Sequence, residues 1–173
     1  MDKLLIKLIL LISTITSLIT DIKKRKILNV VTFPTILFGL IYHTLIYGID
    51  GLLFSGKGFL VGLVVLLIPY LLGGMGAGDV KLMAAIGALT GPVFVFYSFI
   101  YTALVGGVIA LILIMKRDGL LFSVKNFYYN IPFLHSNLGS MIIKKDHSNS
   151  IVFPYGIAIV SGTLIAALWR GIS

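Results

Sequence analysis

The chain has six acidic residues, all aspartates: Asp2, Asp21, Asp50, Asp79, Asp118 and Asp146. It has no cysteine, which removes a thiol nucleophile, a disulfide framework and a zinc–thiolate site. Two of the aspartates stand apart. Asp21 closes an apolar run that begins at Leu4, and Asp79 follows Gly73-Gly74-Met75-Gly76-Ala77-Gly78 and opens another. Two carboxylates brought together cannot both ionise cheaply, so they share a proton. The ionised member can then take a proton from water while the neutral member polarises a carbonyl. That is hydrolytic chemistry, and it needs no metal or other cofactor. The other four aspartates read as solvated loop charge. Asp2 is terminal, Asp50 lies between Gly48 and Gly51, Asp118 precedes Gly119, and Asp146 sits in a Lys-Lys-Asp-His-Ser-Asn run.

Taken singly, Asp21 and Asp79 also have structural readings. Asp21 can mark the edge of a bilayer, and Asp79 can be an N-cap that satisfies free helix N–H groups. Together they are less easily explained that way. An aspartate at bilayer depth costs about 2.5–3.5 kcal/mol on the insertion scale.

The elements that position them are membrane spans. Of the 173 residues, 58% are hydrophobic and only 12% charged, with a mean hydropathy of +1.08. A soluble domain carries about 25% charged residues. A water-soluble enzyme is therefore excluded, and disorder, collagen and coiled coil fail on composition too. A span needs about 20 apolar residues. The candidates are Leu4 to Thr20, Val30 to Tyr47, Phe59 to Leu72, Val80 to Leu89, Val93 to Met115 and Phe153 to Trp169. The break at Gly91-Pro92 divides a run too long for one crossing, because proline costs a helix one hydrogen bond. The expectation is an all-α transmembrane bundle of about six helices, one domain over residues 1–173. The first segment has basic residues but no small-x-small cleavage site, so it is expected to stay as a helix.

Basic residues give the orientation. With six spans, ten of the fourteen lysines and arginines fall on one side and four on the other. The loops at Asp21–Asn29 and Gly73–Asp79 and the long polar segment Asp118–Ser150 are then cytoplasmic, and both aspartates reach that face. The net charge of +8 is explained by anionic lipid head groups, with no nucleic-acid partner.

Glycine spacing suggests close helix packing. Gly87 and Gly91 form one G-x-x-x-G pair and Gly58 and Gly62 another. Such packing is expected to bring the Asp79 helix against the Asp21 helix. Lys81 lies about 200° around the helix from Asp79, so it is expected off that face, snorkelling to the surface. His43 is expected at a packed interface, and His135 and His147 in loops. Tyr42, Tyr47, Tyr155 and Trp169 suit the ends of spans. The stretch from Phe122 to Leu138 suits a membrane surface.

These residues also form a recognisable set. Gly76-Ala77-Gly78-Asp79 resembles the G-x-G-D motif of aspartic intramembrane proteases, and the string Gly73 to Met83 resembles the type IV prepilin peptidases. Asp21-Ile22-Lys23-Lys24-Arg25-Lys26-Ile27-Leu28-Asn29 is similar to that family's Asp, basic residues, Ile-Pro-Asn pattern, with Leu28 in place of the proline. Phe153-Pro154-Tyr155-Gly156 resembles its late Pro-Phe/Tyr-Gly motif. The presenilin-type Pro-Ala-Leu tripeptide is absent.

The resemblance implies Asp21 and Asp79 as the catalytic pair. It implies Lys23, Ile27, Asn29, Gly76, Gly78, Lys81, Pro154, Tyr155 and Gly156 as motif-supporting residues. Larger bacterial relatives add a four-cysteine zinc-binding portion associated with N-methylation. The lack of cysteine here implies a short peptidase-only form, as in Tad/Flp pilus systems or archaeal preflagellin peptidases.

The implied substrate is a prepilin-like precursor: a short basic leader, then a hydrophobic helix lying in the plasma (inner) membrane. The glycines of residues 73–78 would supply mobility for substrate access. Two other readings stay open. One is a proton- or cation-coupled transporter using Asp21 and Asp79 as relay groups, although no convincing internal repeat is found. The other is an assembly subunit whose aspartates are caps.

Overall fold

A computed structural model describes residues 2–24, 26–72, 74–117 and 155–170. Among the described residues every regular element is helical: α1 (Asp2–Lys24), α2 (Asn29–Leu71), α3 (Ala77–Thr90), α4 (Pro92–Arg117) and α5 (Tyr155–Arg170). Among the described residues three stretches are long and apolar enough to cross a membrane, Leu4–Lys24, Asn29–Leu71 and Pro92–Leu113; Tyr155–Trp169 is a shorter apolar helix. The expected helical membrane class therefore holds, with five described helices rather than six.

The difference lies in α2, which absorbs the second and third expected spans. The segment read as an external connection has no proline and no long polar run, so it winds into helix. A straight helix of 43 residues would be about 65 Å long, twice the ~30 Å hydrocarbon core. It is not straight. Gly48 alone leaves helical geometry, at φ 61° and ψ −137°, a left-handed backbone that glycine adopts without a Cβ penalty. The chain doubles back there, for a Cβ on Gly51 would collide with the His43 carbonyl. Asp50 thus opens a second helical arm, and it stays exposed.

Both arms, 29–47 and 49–71, grip α3. A Cβ on Gly39 would meet the Ala88 carbonyl, one on Gly58 the Gly87 carbonyl, and one on Gly62 the Met83 carbonyl. The glycine pairs therefore join α3 to α2, not to α1 as expected, although α3 also touches α1 and α5. Apolar nearly all round, α3 is the central helix; Leu82, Met83, Ala84, Ala85, Ile86, Ala88 and Leu89 are all buried.

The last carbonyls of a helix have no partner within it. In α3 the arms of α2 supply two. Ser55 Oγ donates to the Ala88 carbonyl at 2.7 Å, and His43 Nε2 meets the Leu89 carbonyl at 3.0 Å. His43 is buried, as expected, with its ring centroid 5.1 Å from that of Phe54. The expected break is present. Gly91, at φ 84°, donates its N–H to the Gly87 carbonyl at 2.8 Å, and Pro92 starts α4.

Overpacking a tight contact costs about 1–3 kcal/mol. Gly87→Ala, whose methyl would meet the Gly58 backbone, is expected to lose that much stability. Thermal unfolding in detergent checks it. Gly56→Ala, with nothing within 4 Å, should unfold as the parent does.

The chain divides into two compact units, residues 1–106 with 153–173, and residues 107–152. The first holds α1, α2, α3, α5 and the start of α4. The described part of the second is the end of α4. The expectations for Asp118, Asp146, His135, His147, Phe122 to Leu138, Phe153 and Pro154 fall outside the described residues.

Candidate active site

Asp21 lies in the last turn of α1, which continues to Lys24 instead of ending at the aspartate. Lys23 and Lys24 suit that position, since cations are favoured at the negative end of the helix dipole. Asp79 lies in the first turn of α3. It is not the N-cap. Gly76 holds that place, and the Asp79 carboxylate reaches back to accept the Gly76 N–H at 3.1 Å on Oδ2. The helix starts two residues before the aspartate, so Ala77 and Gly78 are helical rather than loop.

Both aspartates are 8% exposed. Each is pinned by a backbone N–H. The Asp21 partner is Gly156, in the first turn of α5, whose N–H donates to Oδ2 at 3.1 Å. A carboxylate accepting a backbone N–H keeps its rotamer and part of its lost hydration. The two side chains are near enough to interact electrostatically. Tyr155 is within electrostatic reach of Asp79 as well.

The pair lines one open pocket of about 310 Å³. Its walls come from three places: Asp21 of α1, the linker and first residue of α2, and the start of α3. Lys26, Ile27 and Asn29 form the second wall, and Gly76, Ala77, Gly78 and Lys81 flank Asp79 in the third. Gly78 is glycine because the linker lies on it; an added Cβ would stand 3.0 Å from that of Ile27. Lys81 Nζ donates to Asn29 Oδ1 at 3.0 Å, tying the start of α2 to α3.

The structure thus brings together Asp21, Ile27, Asn29, Gly76, Gly78, Asp79 and Lys81 in the pocket, with Tyr155 and Gly156 beside it. Lys81 is exposed, as expected, but it shares the pocket with Asp79. The 200° argument fails there because the pocket opens at the end of α3, where residues on opposite sides of one turn both reach the rim. Lys23 is exposed and does not line the pocket. Lys26 does, and was not singled out from its basic run; its place directly before Ile27 was the available signal. Among the described residues no cluster of three or more His, Cys, Asp or Glu could hold a metal ion.

The family model of the type IV leader peptidase family matches residues 8–111. No curated protein and no solved structure matches the chain.

Proposed function

Because the chain belongs to the type IV leader peptidase family, we propose that it is an aspartic endopeptidase of the membrane that removes the short basic leader from prepilin-like precursors. The observation that carries this reading is the meeting of Asp21 and Asp79 in one pocket. In each carboxylate a backbone N–H engages Oδ2, so Oδ1 is the oxygen left for water or substrate. One ionised carboxylate takes a proton from water, and its protonated partner polarises the scissile carbonyl. The pair titrates as a unit, so the roles belong to the pair.

The precursor's apolar helix lies in the bilayer while its leader stays at the cytoplasmic face, and both aspartates reach that face in the proposed orientation. Lys23 and Lys24 are exposed and suit anionic head groups. The 173 residues contain no cysteine, so the proposed activity is cleavage without the N-methylation associated with a four-cysteine zinc site.

The test is cleavage of a synthetic precursor, basic leader followed by an apolar helix, by the purified protein in lipid vesicles. Release of the leader supports the reading. An intact precursor together with proton or cation flux would favour the transporter. Asp50→Asn should cleave within about twofold of the parent, since Asp50 is exposed on the second arm of α2, outside the pocket; surface changes of this kind have small effects. Mass spectrometry of the released leader checks it.

A further inference from the structure

Residues 26–28 lead into α2 without regular structure, and Lys26 and Ile27 line the aspartate pocket together with Asn29. This linker meets α3 at two points. Ile27 lies on Gly78, where an added Cβ would stand 3.0 Å from the Ile27 Cβ and 3.4 Å from its backbone nitrogen. Two residues on, Asn29 Oδ1 accepts a hydrogen bond from Lys81 Nζ at 3.0 Å. Gly78 and Lys81 are three apart, hence neighbours on one face of α3, with Asp79 between them in the chain. The linker therefore runs along α3 beside one aspartate. Its other end leads back to the last turn of α1, which carries the second aspartate, Asp21.

Neither partner in that bond is explained by its own helix. Asparagine at a helix start usually caps it, but Leu28 is the N-cap of α2 and no side chain caps that end. Lys81, early in α3, gains nothing from the helix dipole, which favours negative charge there. It shares the pocket with two carboxylates, yet its ammonium donates to a neutral amide. Both side chains are exposed, so the bond adds little to overall stability. Its effect is local, on where the linker lies. We propose that Lys81 is a positioning residue of the aspartate pair: through Asn29 it clamps the linker to α3, and so sets how closely the Asp21 end of α1 approaches Asp79. The effect on rate rests on the peptidase reading; the clamp does not.

Lys81→Met and Asn29→Ala should each lower kcat for precursor cleavage about five- to tenfold, the factor one hydrogen bond commands, with KM and the pH profile unchanged. Both remove the same bond, so the double variant should be no worse than either single one. Lys81→Arg, which keeps a donor, should recover most of the loss. The clamp itself is read without activity. The chain has no cysteine, so Ile27→Cys supplies a single thiol. Its labelling by a water-soluble maleimide should quicken by the same factor when Asn29→Ala or Lys81→Met is added. Asn29→Ala leaves the lysine charge in place and is the cleaner arm. Unchanged labelling in both would overturn the proposal. So would losses that multiply in the double variant. A pH profile displaced only by Lys81→Met would overturn it too, making the lysine a charge that acts on the pair, as would a raised KM at full kcat, which marks substrate contact. A parent whose thiol labels as expected but which cleaves no precursor defeats the peptidase reading and leaves the clamp standing.

Discussion

Asp21→Asn and Asp79→Asn are each expected to lower the proposed precursor cleavage about a thousandfold or more, while folding and inserting as the parent does. The substitution is nearly isosteric. The amide oxygen of asparagine can still accept the Gly156 N–H at position 21 and the Gly76 N–H at position 79, so the bonds that tie α1 to α5 and that brace the start of α3 persist. What disappears is the carboxyl that takes or gives a proton in the proposed mechanism. Groups acting as one unit fail together, so the double variant should be little worse than either single one. The measurements are leader release in vesicles, with membrane fractionation and thermal unfolding of each variant. Full activity in either single variant would sink the two-carboxylate mechanism.

A single methyl group at Gly156 is expected to cost about a hundredfold in kcat, because an error of about 1 Å in a catalytic group has that effect. Gly156 is buried against Asp21, and an added Cβ would collide with the Asp21 carboxylate. Gly156→Ala keeps the N–H donor but pushes its acceptor away. Alanine is a better helix former than glycine, so the α5 helix itself is not weakened. Gly106→Ala is the comparison: its methyl would rest 3.6 Å from that of Ala158, an ordinary contact, and activity should be retained. A Gly156→Ala protein that unfolds at the parent temperature and cleaves poorly marks Gly156 as a positioning residue. One that cleaves as the parent does would show that Asp21 can be held another way.

Much of the local structure was readable before the fold. Hydropathy alone places apolar helices where α1, α4 and α5 lie, because burial in lipid demands apolar length regardless of what packs beside it. The Gly91-Pro92 break was readable for a similarly local reason, since proline's missing N–H acts on its own helix. The bend at Gly48 was harder. A glycine between two apolar runs signals a change of direction, but whether the flanking residues uncoil into a loop or stay helical depends on contacts across the bend. Here Gly51 lies against His43 and the helix resumes at once.

The glycine pairs show the same division. Their spacing announced close packing, and close packing is present. The partner was misassigned, because a smooth glycine face fits any helix that offers a backbone, and the two arms of α2 reached α3 in the place expected for α1.

The site divides along the same line. Residue type and spacing determined that this is a helical membrane chain and drew attention to Asp21 and Asp79, the two aspartates next to apolar runs. The family resemblance singled out Gly76, Gly78 and Gly156 as motif residues. Only the tertiary structure decided what each lies against: the Asp79 carboxylate for Gly76, the Ile27 linker for Gly78, and Asp21 for Gly156, 135 positions away in the chain. Periodicity and composition report on one turn of helix at a time, whereas a carboxylate's partner is set by which helix ends the packing brings to the same place.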